Sequence, residues 1–195
     1  MNESLEFSIC LERKLMDLIK QHKTLFSLLV TLRKIEPVAY LSAGVIRNTI
    51  WSYLHAQEFD LEGTEVDVIY FDSTELNYEK SKAIQQQLEH AFPVIDWDVT
   101  NQALVHTWYK TSEGQNIQAY TSLIHAITNW PETATAIAVR MNEENDLEII
   151  APLGLGDLFN LRLRWNSQGV AYEVFQRRIK EKNFLIKWPK LKLVQ

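Results

Sequence analysis

Residues 40–48 read YLSAGVIRN and residues 65–72 read EVDVIYFD, and these two stretches decide the fold. The first is typical of a short strand that ends in a glycine turn and opens a helix. The second is a dense β-branched and aromatic run, which predicts a strand. Strand side chains alternate between two faces, so Glu65 and Asp67 share one face. Two adjacent carboxylates repel each other unless a cation neutralises them, and carboxylate oxygens suit Mg²⁺ or Mn²⁺.

Composition limits the kind of protein that the chain can be. Its 195 residues are 46% hydrophobic, which allows one domain with an ample core. A formal net charge of −5 argues against a general nucleic-acid coat protein, although local basic patches are compatible with it. The single cysteine, Cys10, excludes an intramolecular disulfide and a zinc site with several cysteines. Its apolar neighbours predict a buried structural thiol.

Location is also predicted from the sequence. The N-terminal residues lack the basic segment and apolar core of a signal peptide. No stretch of the sequence approaches the roughly 20 apolar residues that span a bilayer. We therefore expect a soluble, cytoplasmic protein with no membrane partner.

Hydrophobic periodicity and the positions of glycine and proline predict the order of the elements. The fold class is α/β (α+β): a mixed β-sheet flanked by helices, with helical N-terminal and C-terminal additions. We expect one domain spanning residues 1–195, with N-terminal helices at 1–36, the core at 38–151 and a C-terminal helical part at 152–195. Strands are predicted at 38–41, 65–71, 94–100, 135–141 and 147–151, and helices at 4–21, 25–35, 45–55, 77–92, 121–130, 156–163 and 172–186.

A third acidic residue is expected on the strand that follows Pro93. Asp96 and Asp98 alternate with Ile95, Trp97 and Val99, so both acids point to the same face. Either one could complete a cluster with the first two carboxylates.

Four segments together resemble a known family. AGVIRN at 43–48, EVDVIYFD at 65–72, WDVTNQALVH at 97–106 and WPETATA at 130–136 are similar to motifs of the bacterial nucleotidyltransferase family 6, within the nucleotidyltransferase superfamily. The resemblance runs over roughly residues 38–191. It implies that Glu65, Asp67 and Asp98 are the catalytic, metal-binding carboxylates, because the third motif aligns Asp98 rather than Asp96.

The resemblance also implies a reaction and its partners. A member would bind a nucleoside triphosphate with Mg²⁺ or Mn²⁺ and transfer a nucleoside monophosphate to a hydroxyl acceptor. The acceptor, a small molecule, a protein or an RNA, is unknown. The turn at Gly44 and the helix N-terminus after it would cradle phosphate.

The chain departs from the family pattern at two positions. Glu65 stands where an aspartate is usual, and Val45 follows Gly44 where a hydroxyl residue is usual. The nearest hydroxyl is that of Ser42, so the phosphate cradle would rest mainly on the backbone.

Further substrate-binding candidates follow from charge and position. Arg47, near the helix start, either contacts phosphate or anchors an acid, and the alternative is a solvated arginine. Asn48 could orient Arg47 or a nucleotide hydroxyl, or could bond the local backbone. Asn101 and His106 could read a base or sugar, or could be structural. Arg140, at the end of a predicted strand, could reach a triphosphate.

The C-terminus is rich in cations, which are either a solvated helix face or a contact for an RNA backbone. Two other functions therefore stay open beside the enzyme. One is a binding module for nucleotides or anions that does not catalyse. The other is an RNA- or protein-interaction protein. The residues concerned are Arg177, Arg178, Lys180, Lys182, Lys187, Lys190 and Lys192.

Overall fold

The computed structural model describes residues 3–62 and 64–194. It begins with two helices, α1 (Glu3–Gln21) and α2 (Lys23–Ile35). Helix α2 buries leucines at helical spacing against the sheet and ends before Pro37, as predicted. Within the described part of the chain, no helix combines the length and apolarity that crossing a bilayer requires.

The prediction that Cys10 is buried is wrong, because Cys10 is exposed. In α1 the buried apolar side chains begin only at Leu15, whereas Leu5, Phe7 and Ile9 are exposed. The first half of the helix therefore extends past the core, and apolar neighbours in sequence did not place the thiol inside.

The predicted mixed sheet is confirmed and has five strands. These are β1 (Tyr40–Ser42), β2 (Glu65–Tyr70), β3 (Asp96–Asn101), β4 (Ala138–Met141) and β5 (Leu147–Ile150), in the order β3-β2-β1-β4-β5. Within this sheet of described residues, only the pair β2 and β3 is parallel. A parallel pair needs a crossover, which α4 (Glu79–Ala91) provides, and α3 (Gly44–Leu54) connects β1 to β2.

Strand alternation gives the sheet two different faces. On β2, Val66 and Val68 enter the main hydrophobic core together with residues of the first four helices. Ile69 points the other way and joins a smaller cluster with Ile127 of α5 (Leu123–Thr128). Glu65 and Asp67 share the face of Ile69, so the acids lie outside the main core. We call this side of the sheet the acidic face.

The C-terminal part corrects two predicted helices. Helix α6 (Gly156–Phe159) is short because Leu161 has a positive φ of 54°. A strand, β6 (Arg162–Arg164), follows and pairs in parallel with β7 (Lys192–Val194). The helix expected at 172–186 is divided into α7 (Tyr172–Glu181) and α8 (Phe184–Lys187) by Asn183, whose backbone is left-handed.

The C-terminal segment folds back onto α3 through aromatic packing. Trp51 is fully buried, and its ring centroid lies 5.8 Å from that of Phe184 and 5.3 Å from that of Trp188. Its indole nitrogen donates to the carbonyl of Leu158 at 3.2 Å. These contacts place α7 and α8 beside the acidic face. Two short 3₁₀ helices, Gln102–Thr107 and Thr133–Thr135, complete the surroundings of this face.

Candidate functional site

A cavity of about 1400 Å³ opens on the acidic face, between the start of α3, the segment before α5, and α7. Acidic and cationic side chains line it in equal number among the described residues, so one divalent ion would make it cationic. The acids are Glu65, Asp67, Asp98, Glu113 and Glu181, and the cations are Arg47, Arg177, Arg178, Lys182 and Lys187.

Three of these acids form a cluster. One carboxylate oxygen from each of Glu65, Asp67 and Asp98 lies within 4.8 Å of the other two. The parallel register sets Asp67 directly opposite Asp98, and strand alternation brings Glu65 to the same face. Asp96 is opposite Glu65 in the register but is not a member of this cluster of described residues. The structure therefore brings Asp98, to which the family resemblance points, and not Asp96 into the cluster of described residues.

The electrostatics of the cluster favour a cation. Burial, together with the negative charges of Glu65 and Asp98, raises the pKa of Asp67 to about 6. The charge of Arg47 and a backbone hydrogen bond from Gly44 act in the opposite direction. Three hard oxygen donors at this spacing fit Mg²⁺ or Mn²⁺, which prefer carboxylates and keep positions open for water or phosphate.

The turn before α3 carries its unusual backbone at Ala43 rather than at Gly44. Ala43 has φ 51° and ψ −114°, while its N–H stays in the sheet through a 2.9 Å bond to the carbonyl of Ile137. Gly44 is the first residue of α3. A methyl group there would lie 3.7 Å from Asp67 Oδ2. The glycine therefore keeps the space beside the carboxylate open, next to the positive end of the helix dipole.

Arg47 lines the cavity but is held firmly in place. It is 5% exposed, and its guanidinium lies over Trp51 and Phe184 at 5.3 and 4.6 Å. Its Nη1 donates to Thr135 Oγ1 at 2.9 Å, and its Nη2 donates to Asn48 Oδ1 at 2.9 Å. Burial lowers its pKa to about 10, and the charges of nearby acids oppose this effect. Arg47 is thus a buried cation next to the cluster, and Asn48 orients it.

Ser42 also lines the cavity, yet its hydroxyl is used by the sheet. Its side chain is fully buried, and Oγ donates to the backbone carbonyl of Asp67 at 3.3 Å. The contact braces β1 against β2 at the acidic cluster.

Two predicted substrate contacts lie elsewhere. Asn101 is not among the described residues that line the cavity; it lies three residues after Asp98, so alternation turns it to the opposite face. There its side chain bonds the backbone of Asp72 and caps the first 3₁₀ helix. His106 is likewise outside the described lining, and its Nδ1 faces the carbonyl of Ala103 at 3.0 Å.

Arg140 is also absent from the described lining of the cavity. It shares the acidic face, but it stands on β4, beyond β1, and two residues along from Ala138, which pairs with Ser42. Its guanidinium binds Glu148 at 2.7 Å and lies over the ring of Tyr40 at 5.0 Å. The ion pair between β4 and β5 therefore engages the Arg140 guanidinium away from the cavity.

Two residues that line the cavity, Arg178 and Lys182, were not predicted as parts of the site, and neither was Glu132, which lies outside the described lining. Glu132 is fully buried and binds Arg178, while Lys182 lies 3.3 Å from Glu65. Val174, Arg178 and Lys182 recur every four residues, so they share one side of α7 and line the cavity. That i, i+4 spacing is visible in the sequence, but nothing local indicates that α7 packs on the acidic face.

Aromatic side chains form another part of the wall. Trp108, Tyr109, Tyr120, His125 and Trp165 line the cavity, and the rings of Tyr120 and His125 meet edge to face at 5.4 Å. Burial raises the pKa of the Tyr120 hydroxyl, so it stays protonated at neutral pH. Aromatic faces of this kind can stack on a planar ligand.

Comparison with solved structures shows which proteins the chain is similar to. An NMR structure described as a CCA-adding enzyme head domain is 29% identical, with a TM-score of 0.79 over 94% of this chain and 95% of that one. A CCA-adding enzyme in complex with CTP is 13% identical, with a TM-score of 0.57 over 94% of this chain and 43% of that one. The Thermotoga maritima CCA-adding enzyme complexed with tRNA is 12% identical, with a TM-score of 0.53 over 88% of this chain and 39% of that one.

The last two likenesses concern the fold alone, and the chain spans less than half the length of those two enzymes. No curated protein matches the chain. The predicted fold class is confirmed by the likeness to the head domain. A family model described as nucleotidyltransferase matches residues 35–193, from the end of α2 to β7, and the chain therefore belongs to that nucleotidyltransferase family.

Proposed function

We propose that the protein binds a nucleoside triphosphate together with Mg²⁺ or Mn²⁺ and transfers a nucleoside monophosphate to a hydroxyl acceptor. One observation carries the proposal: three carboxylates converge within 4.8 Å beside the N-terminus of α3, in a family of nucleotidyltransferases. Glu65, Asp67 and Asp98 would hold the metal. When bound, a divalent ion would neutralise phosphate charge and lower the pKa of the attacking hydroxyl.

The side chains around the cluster would position the reactants. The open space at Gly44 and the helix dipole of α3 accept phosphate oxygens, and Arg47 balances charge beside Asp67. In the transfer, the acceptor oxygen forms a bond to the α-phosphorus while the bond to the bridging oxygen breaks. Pyrophosphate leaves with that electron pair, and the hydroxyl proton passes to a carboxylate of the cluster and then to water.

The nature of the donor and the acceptor is open to experiment. The aromatic part of the wall, which includes Tyr109 and Tyr120, would stack on the base of the nucleotide. Two structures similar in fold were solved with CTP and with tRNA, which motivates tests of CTP as donor and of RNA as acceptor. Small molecules and proteins that carry hydroxyl groups complete the acceptor screen.

Titration calorimetry of the full chain with Mg²⁺ and each of the four nucleoside triphosphates tests the donor site. Asp67→Asn and Asp98→Asn are expected to weaken metal-dependent binding at least tenfold, since each removes a charged ligand. Asp96 lies on the same strand and face as Asp98 but outside the acidic cluster. Asp96→Asn is therefore the matched control and is expected to bind as the wild type does. Equal binding by Asp67→Asn and the wild type contradicts the metal assignment.

A non-catalytic nucleotide-binding module is the second candidate. It is favoured by the turn, in which Val45 follows Gly44 and the Ser42 hydroxyl is engaged with the backbone of Asp67. Release of pyrophosphate in the presence of Mn²⁺, labelled nucleotides and the acceptor screen separates the two. Release that depends on Asp67 identifies the transferase, and tight binding without release identifies the module.

A further inference from the structure

We propose that Glu132 and Arg178 form a second part of the donor site, in which Arg178 binds the phosphate chain and Glu132 positions it. This inference rests on the proposed binding of a nucleoside triphosphate. It assigns a substrate-binding role to an arginine on α7 that the acidic cluster by itself does not require.

The pair is built from two distant parts of the chain. Glu132 lies just before the second 3₁₀ helix and is fully buried. Arg178 Nε donates to Glu132 Oε1 at 2.7 Å, and its Nη2 donates to Oε2 at 3.4 Å. This is a two-point contact, which holds a guanidinium in one orientation better than a single bond does.

Glu132 is itself rigidly placed. Its carbonyl accepts the N–H groups of Thr135 and Ala136 at 3.0 and 3.2 Å, and its backbone forms a bridge with Trp165. A carboxylate fixed in this way can determine where Arg178 stands. Because both bonds to Glu132 use only two of the five N–H donors of a guanidinium, donors remain for an anion.

The charges around the pair would become cationic in sum once a divalent ion is bound. Glu132 is a single anion that interacts with two cations, Arg47 and Arg178. Both guanidiniums also interact electrostatically with Asp67. When a divalent ion neutralises Asp67 and its neighbours, the two cations lose that counter-charge. A polyphosphate spanning from the acidic cluster to α7 would replace it.

Helix α7 places two of its cationic side chains, Arg178 and Lys182, in the wall of the cavity where the ligand would bind. Val174, Arg178 and Lys182 share one side of the helix and all line the cavity. Arg178 is paired with a buried carboxylate, and Lys182 is paired with exposed Glu65. Arg178 is therefore the more firmly held cation of this wall, and Lys182 is the more exposed one.

Binding of a phosphate series to the full-length protein tests the proposal. In Mg²⁺, calorimetry compares the tightest-binding nucleoside triphosphate with its monophosphate, its nucleoside and inorganic tripolyphosphate. The double variant Glu132→Gln/Arg178→Met removes both charges, so no buried carboxylate is left unpaired. We expect its affinity for triphosphate and tripolyphosphate to fall at least tenfold, with nucleoside affinity changed less than twofold.

Two further variants separate binding from positioning. Arg178→Lys keeps the charge but loses the planar fork, and it should lose about three- to tenfold in triphosphate affinity. Glu132→Gln keeps the shape of the side chain at position 132 and leaves Arg178 in the protein. It should therefore weaken triphosphate binding less than the double variant does. Lys180→Gln removes a cation from the same helix outside the described cavity lining, and it should bind as the wild type does.

The outcomes distinguish this inference from the proposed function. If the wild type does not bind nucleoside triphosphate with Mg²⁺, the proposed donor site is wrong. Suppose that the wild type binds the triphosphate. If Arg178→Lys and the double variant then have the same ratio of triphosphate to nucleoside affinity as the wild type, the inference about Arg178 is overturned and the metal site stands. Should the double variant fail to fold, the ratio of triphosphate to nucleoside affinity of Arg178→Lys alone is compared with that of the wild type. Equal losses for nucleoside and triphosphate would identify a purely structural pair and also overturn it.

Discussion

Asp67 is a carboxylate whose surroundings oppose its own charge. Burial and the neighbouring Glu65 and Asp98 raise its pKa from 3.8 to about 6, against the favourable effects of Arg47 and Gly44. Between pH 3.8 and about 6, Asp67 of the metal-free folded protein is therefore still protonated, whereas Asp67 of the unfolded chain has already lost its proton. Stability contributed by Asp67 is then present at low pH and is lost as the pH rises through about 6.

Asp67→Asn is accordingly expected to stabilise the metal-free protein at pH 8. The shift corresponds to at most about 3 kcal/mol, and partial exposure of the side chain reduces the expected gain to about 1–2 kcal/mol. Urea unfolding at pH 4 and at pH 8 measures it, and the gain should nearly vanish at pH 4. Added Mg²⁺ should stabilise the wild type at pH 8 and not the variant. A variant less stable than the wild type at pH 8 without metal would contradict this explanation.

The acidic cluster of Glu65, Asp67 and Asp98 follows from ordinary strand geometry once the register is known. Asp67 and Asp98 face each other because β2 and β3 are parallel, and Glu65 follows by alternation. The register could not be predicted from the strands themselves, since Asp96 and Asp98 share a face. A shift of two residues would have brought the other aspartate opposite Asp67.

Helix α7 is the element that closes the cavity next to the acidic cluster. Its end is attached to β2 by Lys182, whose Nζ lies 3.3 Å from Glu65 Oε2, with both side chains about half exposed. Lys182 therefore supplies positive charge close to the position that a metal ion would take.

Lys182→Met is expected to increase Mg²⁺ affinity in the absence of nucleotide. An exposed pair of this kind is worth at most about 1 kcal/mol, so the gain should be about two- to fivefold at low salt and should disappear near 0.5 M salt. Competition with Mn²⁺, followed by the electron paramagnetic resonance of the free ion, measures it. Lys180→Met is the control on the same helix. Unchanged or weaker metal binding in Lys182→Met would show that the lysine does not compete with the ion.

In the whole molecule, a buried aromatic group connects the α3 scaffold to the cavity wall. Trp51 contacts Phe184 and Trp188 and also supports Arg47. The main core, the start of α3 and the C-terminal wall therefore share one side chain. Loss of this side chain should affect the fold and the site together.

Trp51→Ala is expected to destabilise the protein by about 3–5 kcal/mol, because it leaves a large cavity and an unpaired carbonyl at Leu158. Urea unfolding measures the loss. Trp108→Ala removes an indole that is 54% exposed, and its free energy of unfolding should change by less than about 1 kcal/mol. Comparable losses in the two variants would mean that the aromatic packing around Trp51 does not hold the C-terminal wall.

Much of the architecture was predictable because it depends on local patterns. Strand β2 and helix α3 were found from residue periodicity and the glycine turn, and the shared face of Glu65 and Asp67 needs only alternation. Breaks caused by a left-handed backbone at Leu161 and Asn183 were missed, since neither residue is a glycine. The pairing of β6 with β7 was missed because its partners are about 30 residues apart and each strand is only three residues long.

Periodicity, composition and motif order were thus enough for the fold class and the position of the sheet, and the family resemblance pointed to all three acids of the cluster. Packing decided the rest. Alternation and register turned Asn101 away from the cavity and left Arg140 with Glu148, whereas the docking of α7 brought Arg178 to a buried Glu132. The physical reason is distance along the chain. Residues close in sequence share a face because of backbone geometry, whereas Glu132 and Arg178, which are 46 positions apart, meet only because of the way the helices pack on the core.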